Sequence, residues 1–263
     1  MSAAARSLSP FGQQLRHWRR RSGLSQLDLS AQAGTTPRHL SFIETGRSRP
    51  GRELVLRLGE ALDLSIRDRN TLLVSAGLSP AFAARELSNE AMRPINLVLE
   101  MVLRTHEPYP AWVVGRGLRF LKSNAAAEAL FPGMCGLSAE TIIDFWFGPG
   151  PYRELVENWH DVVRAGATSL RREAIRTSDR ELFELAQRAE THVRALPESN
   201  SQILAEVPVV CPILRIGGQV VRTISTVMRF DSAVDVTVAD LRVELLFPAD
   251  DDSDAFFKAV SNA

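Results

Sequence analysis

The sequence has few cysteines, few lysines and no long apolar run. No stretch approaches the roughly 18 consecutive apolar residues that a membrane-spanning helix needs, and MSAAARSLSP lacks the apolar segment of a signal peptide. The protein is therefore expected to stay in the cytoplasm. The two cysteines, Cys135 and Cys211, have no set of metal ligands close by in the sequence, so we expect reduced structural thiols. Neither a metal site nor a disulfide framework is expected.

Sequence patterns of catalysis are missing as well. The chain contains no G-x-S-x-G, no H-E-x-x-H and no phosphate-binding glycine loop, and its histidines are scattered without the spacing of metal ligands. A second domain could still house a catalytic pocket. The absences nevertheless favour a protein without enzymatic activity, and without a cofactor apart from a bound apolar molecule.

Arginine supplies almost all of the positive charge, and it is concentrated at one end of the chain. Lys122 and Lys258 are the only lysines. Residues 1–80 contain 12 arginines and 6 acidic residues, a net charge of +6, so the rest of this neutral chain carries −6. A basic head joined to an acidic body is typical of a nucleic-acid-binding module attached to a second domain.

Length and apolar content favour two domains of unequal size. The chain has 263 residues, of which 45% are hydrophobic, enough for a sizeable core. Residues 77–92 mix Gly, Pro, Ser and charges without a strong period, as a connector does. We therefore predict an all-helical head over residues 1–76, a linker over residues 77–92 and a second domain over residues 93–263.

Three short helices are predicted at the start of the head. The first ends at Gly23, a residue suited to a left-handed cap. Ser25 caps the second helix, and Gly34 permits the sharp turn that follows it. Thr36 caps the third helix, which ends at Gly46. Two short helices thus meet across a tight turn.

Two further helices, starting near residues 52 and 68, supply the apolar side chains that close this core. The side chains expected in the core include Leu27, Leu40, Ile43 and Leu58. None of these four receives a role in binding.

The segment GLSQLDLSAQAGTTPRHLSFIETGRSRPGRELVLRLGEALDL resembles the five-helix domain of the lambda-repressor-like, or Xre-type, helix-turn-helix regulators. It follows the family pattern L-S-Q-x-x-L-A/S-x-x-A-G-x-x-x-x-x-[IL]-S-x-[IL]-E-x-G-x-x-x-P almost position by position. The resemblance implies a transcriptional regulator that binds a double-stranded DNA operator. It also implies an internal ion pair between Arg19 and Glu44, which leaves Arg16, Arg20 and Arg21 more exposed.

The third helix is expected to enter the major groove. Arg38, His39 and Phe42 can project from the face opposite Leu40 and Ile43. Arg reads guanine with two hydrogen bonds, His can bond a base edge, and Phe can contact a thymine methyl group. Phe42 is either presented to DNA in this way or partly buried.

Other residues of the head suit the DNA backbone. The Gln26 amide and the N-terminal N–H groups of the second helix can hold a phosphate. Arg47 and Arg49 suit phosphate contacts that weaken as salt is added. The complete expected interface comprises Gln26, Thr36, Arg38, His39, Phe42, Arg47 and Arg49.

The second domain is predicted to begin with a helix, a hairpin and another helix. Residues 94–104 form an amphipathic helix with Ile95, Val98, Leu99 and Val102 on its apolar side, which packs on this domain or pairs with a second copy of the chain. PAWVVGRGLRFLKSN then predicts two strands around a Gly-Arg-Gly turn, and the following Asn caps an alanine-rich helix.

Helices are predicted from about residue 141 to residue 196, and three strands follow. VPVVCPILRI, QVVRTISTVMRF and LRVELLFP are rich in alternating β-branched residues. Gly217 and Gly218 suit a hairpin turn between the first two, and Pro208 and Pro212 favour an edge position for the first. The expected fold is an α+β domain with an antiparallel sheet of about five strands and helices on one side.

This order of elements resembles PAS domains, in which an antiparallel sheet and helices enclose a ligand. Taken with the head, the segments AWVVGRGLRFLKSNAAAEALF, VENWHDVV and DVTVADLRVELLFPAD resemble the ligand-binding domain of MmyB-like regulators. That resemblance implies a PAS-like sensor that holds a small apolar, fatty-acid-like molecule.

A pocket in this domain would be lined by inward side chains of the sheet and by the helices that face them. Arg119, Arg222 or His160 could pair with a carboxylate head group, although each also fits a surface position. The lining candidates, each of which also fits ordinary core packing, are Trp112, Val114, Leu121, Phe145, Trp146, Trp159, Ile224 and Met228.

Together these features predict a homodimeric regulator whose two heads bind a partly palindromic operator, while ligand occupancy changes their spacing or freedom. The alternative is a constitutive dimeric regulator whose second domain serves only assembly or protein interaction. A head that binds protein instead of DNA is a third reading, which salt-dependent DNA binding would exclude.

Overall fold

The computed structural model describes residues 9–177, 179–196 and 209–261. The chain divides into two compact units. The first comprises Met1–Arg85 with the segment Ala233–Val236, and the second comprises Glu86–Ser232 and Thr237–Ala263. Within the described ranges, no helix is long and apolar enough to cross a membrane.

Five helices build the first unit, as the sequence predicts. They are α1 (Pro10–Arg21), α2 (Gln26–Gln32), α3 (Pro37–Glu44), α4 (Arg52–Ala61) and α5 (Ile66–Ser75).

The predicted caps and turn set the boundaries of the helix-turn-helix pair. The Ser25 hydroxyl accepts the backbone N–H of Asp28, whose carboxylate accepts the N–H of Ser25 in return. The Thr36 hydroxyl accepts the N–H of His39 at the start of α3. Gly34, between the helices, has a φ of +62°, which a side chain would strain.

Leucines from all five helices fill the core of the first unit, and Leu40, Ile43 and Leu58 are fully buried there, as expected. The prediction for Leu27 is wrong, because its side chain is 65% exposed. Leu29 is buried in its place. Residues two positions apart on a helix point to nearly opposite sides, so only one of the two leucines can face the core.

Part of the segment predicted to be a linker is bound to the first unit. Arg52 donates to the carbonyl oxygens of Ser79 and Pro80 at 2.7 and 3.1 Å. The buried carboxylate of Asp235 contacts the Arg85 guanidinium at 3.0 Å. The chain from residue 79 to residue 85 is therefore fixed at several points.

The second unit is an α+β domain with a five-stranded antiparallel sheet. Its strands are β1 (Ala111–Val114), β2 (Phe120–Ser123), β3 (Ile213–Ile216), β4 (Gln219–Arg229) and β5 (Arg242–Pro248). Its helices are α6 (Arg93–Thr105), α7 (Ala125–Leu130), α8 (Ala139–Phe147), α9 (Pro151–Leu155), α10 (Trp159–Thr177), α11 (Arg180–Arg194) and α13 (Asp251–Ser261), and α12 (Val236–Asp240) begins in the segment that groups with the first unit.

The strand order is β2-β1-β5-β4-β3, and all neighbours are antiparallel. Pro212 directly precedes the edge strand β3, as predicted, whereas Pro208 lies outside the described residues. Of the two cysteines, Cys211 is buried and Cys135 is exposed, and both are free thiols.

Helices cover both faces of this sheet, so the prediction of helices on one side is wrong. Trp112 faces the main core, which includes side chains of α8, α10 and α11. The next residue, Val113, faces the other side and packs with Leu99 and Leu103 of α6. Because strand side chains alternate, a strand buried on both faces reads as one apolar run, and AWVV is such a run.

Candidate DNA interface and ligand cavities

A buried carboxylate organises the first unit. Glu44, at the end of α3, accepts hydrogen bonds from Arg19 at 2.6 and 3.0 Å, from Gln26 at 2.8 Å and from Arg16 at 3.4 Å. The ion pair implied between Arg19 and Glu44 is thus present. Burial would raise the pKa of Glu44, but the hydrogen bonds from Arg19 and Gln26 and the charge of Arg19 outweigh burial and hold that pKa below its ordinary value. The network ties α1, α2 and α3 together.

Gln26, expected to hold a phosphate, uses one amide N–H for Glu44. The amide has a second N–H, which a phosphate could accept. The start of α2 also carries the Asp28 carboxylate of the capping box, so a phosphate there would lie close to a negative charge. The phosphate contact of Gln26 stays a prediction.

Two cations lie against the aromatic ring of Phe42, one from Arg38 within α3 and one from Arg47 just after it. The guanidinium carbons of Arg38 and Arg47 lie 5.4 and 5.8 Å from the centre of the Phe42 ring. Phe42 is half-buried, and both arginines are exposed. Cation–π contacts of this kind restrict long side chains that would otherwise be free. A positively charged surface is therefore partly ordered before any partner binds.

His39 is held at both ring nitrogens. Its Nδ1 lies 3.1 Å from the Thr35 hydroxyl, and its Nε2 lies 3.4 Å from the Ser48 hydroxyl. The ring thus connects the start of α3 to the loop that follows the helix. Sequence reasoning assigned it only a contact to a base and missed these partners.

Thr36, as the cap of α3, has its hydroxyl oxygen engaged by the backbone N–H of His39. Arg49 is exposed after α3, as Arg47 is. Sequence reasoning gave no role to Gln13 or His17, although the α1 sequence is rich in basic residues. An open concave surface on α1 is lined by Gln13, Arg16, His17, Arg20 and Arg21.

The second unit contains a cavity of about 160 Å³ on the core side of the sheet, which we name the aromatic cavity. Its walls come from β1, β2, β3 and β5 and from the α7–α9 region. The lining residues are Trp112, Phe120, Phe131, Met134, Trp146, Tyr152, Pro212, Leu214, Glu244 and Leu246.

Four lining residues of the aromatic cavity carry polar groups, namely Trp112, Trp146, Tyr152 and Glu244. The buried indole N–H of Trp112 has no hydrogen-bond partner among the described residues. Tyr152 is buried, and burial raises the pKa of its hydroxyl well above the ordinary value, so the group stays protonated. The carboxylate of Glu244 accepts a hydrogen bond from Arg242 Nε at 2.9 Å.

A second cavity, of about 280 Å³, lies between α7 and α13, and we name it the α7–α13 cavity. Residues of α7 and α13 form most of its wall, among them three alanines of α7 and the aromatic residues Phe256 and Phe257 of α13. The Glu107 carboxylate, which also lines it, accepts the backbone N–H of Ala125 at the start of α7. Sequence reasoning placed no ligand residue here.

The structure brings only some of the predicted lining residues together. Trp112 and Trp146 line the aromatic cavity. Val114 and Trp159 lie in the surrounding core, and Phe145 packs against it.

The predictions for Leu121, Ile224 and Met228 are wrong. Leu121 and Ile224 are 40% and 43% exposed, and Met228 packs with α6 on the other face of the sheet. Their strand neighbours Phe120 and Thr223 are buried instead. From the sequence, the wrong alternate residues of β2 and β4 were thus assigned to the core side of the sheet.

The three residues considered for a carboxylate head group lie elsewhere. Arg119, Arg222 and His160 are exposed, and none lines either of these two cavities. Arg222 contacts Asp250 at 3.4 Å. In the part of the chain that the structure describes, no three His, Cys, Asp or Glu side chains could hold a metal ion.

Comparison with known proteins assigns a family to each unit. Residues 10–72 match a helix-turn-helix domain, and residues 96–259 match the MmyB-like transcription regulator ligand binding domain. No curated protein matches the chain. Among solved structures, the clp gene regulator ClgR from C. glutamicum is 29% identical over 26% of this chain and 86% of that chain, with a TM-score of 0.23.

Arg38 of α3 and the exposed Arg47 and Arg49 that follow it belong to the matched helix-turn-helix domain, and both cavities lie in the unit matched by the ligand-binding domain. Since this second match spans more than half of the chain, the protein belongs to the MmyB-like family and is a DNA-binding transcription regulator with a ligand-binding domain.

Proposed function

We propose that the protein binds an operator as a homodimer and that a small, largely apolar molecule in the second unit controls this binding. The observation that carries the proposal is the aromatic cavity, which lies inside the ligand-binding domain and has aromatic and aliphatic walls. Burial of each CH₂ group of a ligand against such walls contributes about 0.8 kcal/mol. An apolar ligand therefore gains most from this site.

A fatty-acid-like molecule is the ligand that the resemblance implies. The apolar wall of the α7–α13 cavity supports a site for an alkyl chain. Control of DNA binding further requires that the ligand favour one arrangement of the protein over another. The effect on operator affinity can be no larger than that difference in ligand affinity.

Native mass spectrometry of the purified full chain, followed by organic extraction, tests this proposal. We expect a stoichiometric apolar molecule, and operator affinity that changes when that molecule is removed and returned. An empty protein whose operator affinity is unaffected by the extracted lipid fraction would contradict ligand control.

A constitutive dimeric regulator is the second candidate. A dimer is common to both candidates, and one surface of the second unit suits it. Leu97, Val98 and Met101 form an apolar stripe on α6 and are 54%, 41% and 54% exposed. The opposite side of α6 packs on the sheet through Leu99 and Leu103. A second copy of the chain could cover the stripe and thus remove apolar surface from water.

Sedimentation velocity tests whether the stripe on α6 is the dimer interface. Leu97→Lys should shift a dimer to monomer, whereas Glu100→Ala, at an exposed position outside the stripe on the same helix, should not. A Leu97→Lys protein that stays dimeric at the same concentration would exclude the α6 stripe as the interface.

A further inference from the structure

We propose that the aromatic cavity selects a compact, single-ring aromatic molecule that carries a hydrogen-bond acceptor and no negative charge, and that Trp112 and Glu244 determine this specificity. The inference rests on the proposed ligand-dependent function. It narrows the ligand class and departs from the long-chain carboxylate that the family resemblance implies.

The size of the aromatic cavity favours one ring. Its volume is about 160 Å³, whereas pockets that enclose drug-sized ligands span about 300–1,000 Å³. An engineered apolar cavity of about 150 Å³ in another protein holds benzene. Aromatic lining residues offer ring faces and edges, which pack best against another ring. They are Trp112, Phe120, Phe131, Trp146 and Tyr152.

The donors of the cavity favour a ligand with an acceptor. Trp112 is 8% exposed, and its indole N–H is a donor that no described residue accepts. Buried polar groups are almost always hydrogen-bonded, and an unpaired N–H on a residue that lines a cavity can be paired by a ligand atom or by a water. Tyr152, whose pKa burial raises further above its ordinary value, adds a protonated O–H. A carbonyl, amide or ring nitrogen would satisfy these donors, and an alkyl chain would not.

Glu244 sets the charge that the cavity tolerates. It is the direct cross-strand neighbour of Trp112 in the β1–β5 pairing. Its carboxylate can only accept hydrogen bonds, so it favours a ligand N–H or O–H beside the ring and repels an anion. Arg242, its partner at 2.9 Å, is not among the lining residues of the cavity. A benzoate-like ligand is therefore selected against.

Three ring compounds of similar shape test the proposal on the full chain. Benzamide has an acceptor and N–H donors, benzoate has the same shape with a negative charge, and toluene lacks polar atoms. Isothermal titration calorimetry should show the tightest binding for benzamide, with benzoate and toluene each about 10-fold weaker, a factor that corresponds to about 1.4 kcal/mol. Myristate serves as the long-chain probe.

Two variants assign the specificity to named atoms. Trp112→Phe keeps a ring but removes the N–H, so benzamide affinity should fall about 5- to 10-fold and toluene affinity should stay unchanged. Glu244→Gln should weaken benzamide and strengthen benzoate. Trp18→Phe, the same substitution in the first unit, is the matched control and should alter none of these affinities. In ¹⁵N spectra, benzamide should move the indole signal that Trp112→Phe deletes.

The outcomes separate the inference from the proposed function. Equal binding of benzamide, benzoate and toluene, or unchanged benzamide affinity in Trp112→Phe, would overturn the inference. Binding of myristate without binding of benzamide would overturn it as well, while leaving ligand control intact. Failure of all four probes to bind would count against both the inference and a ligand-controlled function.

Discussion

Gln26, the first residue of α2, donates its side-chain amide to the carboxylate of Glu44, the last residue of α3, over 2.8 Å. The two helices of the DNA-binding motif are thus joined through a group that Arg19 of α1 neutralises. Glu44 is fully buried, so water cannot replace any partner that it loses. The orientation of α3 therefore depends on this network.

Glu44→Gln should destabilise the first unit by about 3 kcal/mol, because Arg19 would keep its charge without a counter-charge in a largely buried position. Urea unfolding of the full chain, with hydrogen exchange read in residues 10–75, measures the change. Glu53→Gln is the matched control. Its exposed pair with Arg57 is an i,i+4 contact, so its loss should cost about 0.5 kcal/mol or less. Equal costs for the two variants would contradict the assigned role of Glu44.

The same carboxylate should make the stability of the first unit sensitive to acid. The pKa of Glu44 is below its ordinary 4.5 in the folded protein. The folded state therefore stays ionised at pH values where the unfolded chain has already bound a proton, and stability is lost as the pH falls through the folded value. The difference in unfolding free energy between wild type and Glu44→Gln should be constant near neutral pH and shrink below pH 4.5. A difference that persists undiminished in acid would refute this linkage.

Arg38 and Arg47 both contact the Phe42 ring, yet we expect them to affect DNA binding differently. Arg38→Ala should reduce the preference for a selected operator over a scrambled site by about 1–3 kcal/mol. Arg47→Ala should weaken binding to both sites alike. It should also reduce the slope of log affinity against log salt concentration by about one. Fluorescence anisotropy at several salt concentrations measures both effects.

The control for these two variants is Arg180→Ala, which removes an arginine that is 92% exposed in the second unit. It should change neither affinity. If Arg38→Ala and Arg47→Ala reduce binding to the operator and the scrambled site equally, the separate roles for them are wrong.

Local sequence rules predicted the boundaries of the DNA-binding motif. Ser25 and Thr36 cap the helices that follow them, and Gly34 has the left-handed backbone that the turn needs. Such features depend on residues that are close in sequence. Leu27 and Leu29 show the limit, because both are apolar and helix packing alone decides which one is buried.

The ligand region was less predictable because it depends on pairing between distant strands. The neighbour of Trp112 on β5 is Glu244, and this register follows from the whole sheet. A sequence pattern cannot show that the Trp112 N–H lacks a partner, since that depends on every residue packed around it. The side of β2 and β4 that faces inward was misjudged for the same reason.

Asn124 uses its full side-chain amide to connect three elements of the second unit. Its Oδ1 accepts the backbone N–H groups of Ala111 in β1 and Ala127 in α7, each at 3.0 Å. Its Nδ2 donates to the carbonyl oxygens of Tyr109 and Leu103, at 2.8 and 3.3 Å. The sequence predicted only the helix cap, which is one of these four bonds.

Asn124→Ala should therefore cost more than the loss of an ordinary cap. A helix cap contributes about 1 kcal/mol, and each buried backbone group left without a partner adds about 1–3 kcal/mol. We expect a total loss of at least about 4 kcal/mol in urea unfolding of the second unit, about 1 kcal/mol from the cap and about 1 kcal/mol or more from each of the three other backbone groups. Ser138→Ala, which removes the exposed cap of α8 and an exposed contact to the Thr141 hydroxyl, should cost only about 1 kcal/mol. If Asn124→Ala costs no more than Ser138→Ala, the three additional hydrogen bonds do not stabilise the fold.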